Sequence, residues 1–168
     1  MTEESFILHL PARRETPVIF SSPHSGRDYS SEFLAASVLD ERTIRSSEDA
    51  FVDLLFDSAP GWGAPLLAAR APRAFLDLNR AADELDPAVI EGVGRSAHNP
   101  RITSGLGVIP RVVANGRPIY RGKLTRAEAE ARVARWWQPW HARLRGLIEE
   151  STALFGEAVL IDCHSMPH

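Results

Sequence analysis

The sequence has a single cysteine, Cys163, in 168 residues, so no disulfide framework can hold it and its stability must come from a buried core. A chain of this length can bury roughly two-thirds of its unfolded surface, and residues 1–168 read as one domain. It lacks any apolar run approaching the ~20 residues that span a bilayer. Its first residues, Met1-Thr2-Glu3-Glu4-Ser5, carry acid where a secretory leader carries base, and no apolar leader core follows. The expectation is a cytoplasmic protein with no membrane partner. An excess of base is missing too. The 19 Lys+Arg against 22 Asp+Glu give a net charge of −3, which argues against a nucleic-acid partner, because phosphate recognition needs a basic face. Internal repeats and low-complexity segments are also absent.

What the sequence does have is a series of short apolar runs with clear punctuation. The run at 17–20 stops at Ser21-Ser22-Pro23-His24-Ser25-Gly26 and reads as a buried strand emptying into a loop. Residues 31–39 are weakly helical in pattern. Phe51, Leu54 and Leu55 recur at helical spacing before Pro60-Gly61, which places Asp49 and Asp53 on one helix face. Two more strands are expected at 65–69 and 74–78, separated by Ala71-Pro72-Arg73. Residues 83–107, rich in Asp, Gly, Pro and Asn, read as a long irregular excursion. Asn115-Gly116 supports a hairpin-like turn. Thr125 and Glu128 have capping-box spacing, so a helix is predicted from Arg126 toward Phe155, kinked or divided at Pro139 and closed by Gly156. A buried strand is predicted at 158–161. Strands that alternate with helices, each a continuous apolar run, indicate an α/β fold around a largely parallel sheet.

In such folds ligands gather at the carboxyl ends of the strands. Three runs end in suitable residues: 17–20 leads to His24, 75–78 to Asn79 and Arg80, and 159–161 to Asp162 and His164. Two histidines and a carboxylate from Glu48 or Asp49 make three ligands for Zn²⁺ with a fourth position open. Asp162 or Asp53 could then orient a ligating imidazole. The plainer alternatives are hydrogen-bonded loop histidines, and salt bridges from Arg73 and Arg80 to Asp77, Asp83 or Glu84. A Ser25 or Ser165 nucleophile is a further alternative, although neither lies in a Gly-x-Ser-x-Gly elbow. His9, His98 and His141 read as surface or helix-packing residues, Cys163 as a core thiol, and the tryptophans at 136–140 as helix-to-sheet packing.

The motifs Pro23-His24-Ser25-Gly26, Glu48-Asp49-Ala50-Phe51-Val52-Asp53, Arg73 with Asp77-Leu78-Asn79-Arg80, Pro118-Ile119-Tyr120-Arg121, Pro139-Trp140-His141 and Asp162-Cys163-His164-Ser165-Met166-Pro167 occur in the order seen in the N-formylglutamate amidohydrolase family. The resemblance runs over about residues 17–167. It implies a three-layer, phosphorylase/hydrolase-like fold akin to zinc carboxypeptidases and aspartoacylases, with a largely parallel or mixed sheet and helices on both faces. It further implies hydrolysis of an N-formyl or N-acyl amino acid as the small-molecule partner. The family reaction takes N-formyl-L-glutamate to formate and L-glutamate in histidine catabolism, with one Zn²⁺ or another divalent ion.

By the same resemblance His24 and His164 correspond to imidazole ligands and Asp49 to the carboxylate ligand. Glu48, which stands where relatives have threonine, is the alternative carboxylate. Arg73 matches the arginine that polarises the scissile carbonyl, and Asn79 with Arg80 the pair that clamps the substrate α-carboxylate. Ala50-Phe51 replaces a usual Trp-His. Family members continue past the equivalent of residue 168, and the glutamate expected to act as general base lies there, so residues 1–168 are expected to be the N-terminal part of the fold. Two other readings stay open: a carboxylate-binding module without metal, built on Arg73, Asn79 and Arg80, and an amidohydrolase for a different N-acyl amino acid. The oligomeric state is left open.

Overall fold

The computed structural model describes residues 5–94 and 99–166. Four strands, β1 (Phe6–His9), β2 (Val18–Ser22), β3 (Leu66–Ala69) and β4 (Val159–Asp162), form one sheet in the order β1-β3-β2-β4. β2 runs parallel to both β3 and β4, while β1 pairs antiparallel with β3, so the sheet is mixed. Parallel neighbours need crossovers. The link from β2 to β3 carries α1 (Ser31–Ala36), α2 (Glu41–Ile44) and α3 (Val52–Leu55). The long return to β4 carries α4 (Pro100–Thr103), α5 (Arg126–Arg132) and α6 (Gln138–Phe155).

All four residues of β3 are buried, as its unbroken apolar sequence requires when both faces are covered. Ile19 of β2 and Leu67 of β3 share one core with Leu76, Ile109, Trp140 and Leu147. Each such leucine or isoleucine contributes about 1.5–3 kcal/mol by burial. The long helix begins as its sequence predicts, with Thr125 Oγ1 accepting the Glu128 N–H at 3.2 Å. Pro139 has no N–H to donate. Just before it the helix widens into a π turn over Val133–Trp137, where the Gln138 N–H bonds to Val133 O, and then continues. Gly156, at φ +80°, ends it. The Asn115-Gly116 turn also forms, with Val112 bridging Pro118 and the Val113 N–H donating to Arg117 O at 2.9 Å.

Three expectations are overturned. Residues 74–78, all buried but the partly buried Phe75, turn rather than form a strand, because the Phe75 and Leu76 N–H groups fold back onto Pro72 O. An apolar run reports burial, and here the Pro72 break decides the backbone. Asp49 and Asp53 do not share a helix face: α3 starts only at Val52, after Phe51 takes the left-handed region at φ +64°. Val52 is the buried residue there, while Phe51, Leu54 and Leu55 are exposed. Finally, Val159, Leu160 and Ile161 are not buried. They lie at a sheet edge, paired on one side by β2, and each is about 40% exposed. His9 is exposed, as expected; His98 lies outside the described residues. Among the described residues no helix is long and apolar enough to cross a membrane.

Candidate metal centre

The parallel pairing of β2 and β4 sets their carboxyl ends side by side. Ser21 lies opposite Asp162, and the Cys163 N–H donates to Ser21 O at 2.7 Å. The chain segments that follow therefore emerge together, and the rings of His24 and His164 come to 4.8 Å between centroids. Asp49 joins them from the loop before α3, its N–H donating to His24 O at 3.0 Å. Asp49 Oδ2 lies 2.9 Å from His164 Nδ1 and 3.6 Å from His24 Nδ1. One ligand atom from each of the three residues falls within 4.8 Å of the others.

The remaining ring nitrogens are held by carboxylates. His24 Nε2 donates to Asp77 Oδ1 at 2.7 Å, and His164 Nε2 to Asp162 Oδ2 at 2.9 Å. The second oxygen of Asp49 accepts from Ser165 Oγ at 3.2 Å. Burial works against the charged form of Asp49, yet the two imidazoles beside it, His24 foremost, outweigh it and hold its pKa at about 2. Asp77 is likewise lowered against burial, chiefly by His24 and also by Arg73 and Arg80. Burial disfavours the His24 imidazolium, but Asp49 and Asp77 together raise its pKa above the ordinary value.

One atom is left over. His24 Nδ1 is buried and has no hydrogen-bond partner, although it points at an ionised carboxylate. An unpaired buried nitrogen is costly unless something engages it. Two imidazole nitrogens and a carboxylate oxygen form a donor set that Zn²⁺ accepts. Tetrahedral bonds of about 2.0–2.1 Å put ligand atoms about 3.3–3.4 Å apart, close to the 2.9 and 3.6 Å found here. The residues fit the ion.

A cavity of about 630 Å³ opens beside this group, bordered by Glu48, Asp49, Arg73, Leu106, Asn115 and Ser165 among others. The turn at 74–78 carries Arg73 to its wall and lets Arg73 Nε bond Asp77 Oδ2 at 3.1 Å, one of the salt bridges considered from sequence. Arg80 is turned elsewhere, donating to Leu106 O and Asn79 O, with Asp77 at 3.9 Å. Asn79 contacts Asp162 and His164. Glu48 stays outside the three-residue group, its carboxylate accepting from Tyr29 and Arg45. Ser25 Oγ bonds Ser22 O, Cys163 is a buried thiol raised to about 11 by burial, and Trp140 packs in the core. His141 stacks on Trp137 and reaches Leu78 O, a helix-packing role.

Of the two carboxylates expected behind the imidazoles, Asp162 is there and Asp53 is not: Asp53 makes a bidentate pair with Arg27. Asp77 takes that place, where the sequence marks it only as a salt-bridge partner for arginine. The available signal was an acid inserted between Leu76 and Leu78, where only a strongly paired carboxylate is tolerated.

The sequence profile of the family described as N-formylglutamate amidohydrolase matches residues 16–168. The chain is 30% identical to an N-formylglutamate deformylase of Pseudomonas aeruginosa over 156 residues, covering 92% of this chain and 53% of that one. It is 29% identical to the Pseudomonas putida N-formylglutamate deformylase, covering 89% and 52%. A crystal structure of N-formylglutamate amidohydrolase from Ralstonia eutropha superposes with a TM-score of 0.88 at 38% identity, over 97% of this chain and 58% of that one. A gene product of Agrobacterium tumefaciens shares the fold alone, with a TM-score of 0.70 at 18% identity. The chain thus spans about half the length of the curated relatives it matches. With the matched profile covering nearly all of it, the chain belongs to the N-formylglutamate amidohydrolase family.

Proposed function

We propose that His24, Asp49 and His164 hold one Zn²⁺ and that the site serves hydrolysis of an N-formyl amino acid, N-formyl-L-glutamate first among candidates, to formate and the free amino acid. The observation that carries this reading is the buried, partnerless Nδ1 of His24 facing Asp49 and the ring of His164. Two relatives named as N-formylglutamate deformylases supply the substrate. When bound, Zn²⁺ supplies a Lewis acid and brings the pKa of a water molecule toward ~7.

The chain's own residues do the rest. Asp77 and Asp162 take the Nε2 hydrogens, which turns both Nδ1 atoms toward Asp49. Ser165 fixes the Asp49 carboxylate from its other oxygen. Arg73, braced by Asp77 and only a quarter exposed, offers a fixed cation on the cavity wall for a carbonyl oxygen that gains charge. Arg80 is set back from the cavity wall by its bonds to two carbonyls, and reaching a substrate carboxylate requires it to release them.

Metal analysis of the purified chain tests the reading. One zinc per chain is expected in the wild type and loss of it in His24→Ala, with formate released from N-formyl-L-glutamate by the intact protein. A wild type without stoichiometric zinc, or a His24→Ala variant that retains it, overturns the proposal. Turnover compared across N-formyl-glutamate, N-formyl-aspartate and N-acetyl-glutamate assigns the substrate, since a missing carboxylate leaves its buried partner unpaired.

A further inference from the structure

We infer that Asn79 is a positioning residue that holds the two imidazoles of the metal centre in place, an inference that rests on the metal reading above. Asn79 reaches both carboxylates behind the histidines. Its backbone N–H donates at 2.9 Å to Asp77 Oδ1, the same oxygen that accepts from His24 Nε2. Its side-chain amide donates at 3.1 Å to Asp162 Oδ2, the same oxygen that accepts from His164 Nε2. The 3.3 Å approach of Asn79 Nδ2 to His164 Nε2 follows from this, as two donors lie side by side on one acceptor. With both Nε2 atoms committed as donors, the lone pairs fall on Nδ1, the atoms beside Asp49 Oδ2.

The two halves are not equally robust. Asp77 is 1% exposed and is also bonded by Arg73, so it stays put without help. Asp162 is 37% exposed, and among the described residues its carboxylate is held by Asn79 and His164, which makes the Asn79 amide its restraint. A residue of this kind acts through the ligands and fixes their geometry before any substrate arrives.

This asymmetry provides the test. Asn79→Ala removes the amide and leaves the backbone N–H, so it loosens His164 and spares His24. Zinc affinity of the chain is measured by competition with a chromogenic chelator, and imidazole ¹⁵N shifts are recorded in the zinc-loaded protein. Dissociation constants about 10- to 100-fold higher are expected, with changed His164 shifts and unchanged His24 shifts. Asn79→Asp, equal in size but setting an acceptor against Asp162, is expected to lose at least as much affinity. Zinc uptake by the wild type together with affinities within twofold of it in both variants overturns this inference alone and leaves Asn79 free to meet substrate. Equal disturbance of both rings in Asn79→Ala also overturns it, whereas a wild type that binds no zinc overturns the metal reading along with it.

Discussion

Asp49 is an anion in a place where burial favours the neutral acid, and the imidazoles of His24 and His164 beside it decide the matter by bringing its pKa to about 2. Asp77 is lowered in the same way, against its burial and mainly by His24. His24 moves oppositely: burial favours the neutral ring, the carboxylates on either side win, and its pKa rises. In metal-free protein the contributions of the two aspartates are complete above the ordinary carboxylate value of about 3.9 and fade as pH falls through their lowered values, about 2 for Asp49. The contribution of His24 is complete below its ordinary value of about 6.5 and fades as pH climbs through the raised one. Metal-free protein is therefore expected to be most stable between about pH 4 and 6.5. Melting temperature by circular dichroism, scanned across this range and beyond it in chelator, checks this. A flat profile from pH 6 to 8 means that His24 is not held as a cation and contradicts the pairing. If the three residues ligate zinc as proposed, zinc is expected to reverse the upper limb, since imidazoles must lose their protons to ligate, and the melting temperature then rises with pH there.

At the scale of elements, the site depends on two segments that leave the strands and meet closely. The loop after β2 passes so near the 70–72 segment that a Cβ added to Gly26 falls 2.1 Å from Ala71 O, with Arg70 O at 2.8 Å. These are backbone atoms, which cannot rotate aside. Gly26→Ala is accordingly expected to destabilise the fold by more than about 2 kcal/mol and to weaken zinc uptake by displacing the loop that carries His24. Urea unfolding and metal analysis of the variant check both, and a loss below about 0.5 kcal/mol shows that the two segments can separate freely. The same closeness explains what the sequence could and could not disclose. The strands at Val18–Ser22 and Leu66–Ala69, the Thr125 cap and the Gly156 stop rest on local chemistry and were legible. The set His24, Asp49 and His164 was legible because its members follow strand ends or an acidic pair in recognisable motifs. The pairing of His24 with Asp77 spans 53 positions and depends on a turn at 74–78 that periodicity reads as a strand. Asp53 was a reasonable candidate for that place until Phe51, in the left-handed region, rotated α3 away from Asp49 and toward Arg27.

For the whole molecule, the notable asymmetry is between the two sheet edges. β1 alternates half-buried and exposed residues, as an antiparallel edge with one covered face does. β4 reads Val-Leu-Ile-Asp, the sequence of an interior strand, yet none of its residues is covered and its pairing is with β2 alone among the described residues. It also leads directly into Asp162 and His164, so contacts on this edge bear on the His24, Asp49 and His164 group. The matched relatives are nearly twice as long, and the fold similarity covers 58% of the Ralstonia protein. An apolar strand with free N–H and C=O groups is a template for pairing with another chain. A polypeptide of residues 1–168 is thus expected to self-associate as its concentration rises, through β4. Leu160→Lys, which puts a charge on the exposed edge, is expected to suppress the association and to leave zinc uptake intact, because Leu160 is not among the three candidate ligands and pairs with Ile19. Sedimentation velocity over a concentration series separates the outcomes. Sedimentation that rises with concentration in the wild type and stays level in Leu160→Lys identifies β4 as the contact; association that persists equally in the variant places it on another surface, with exposed Leu55 and Trp62 the next to be changed.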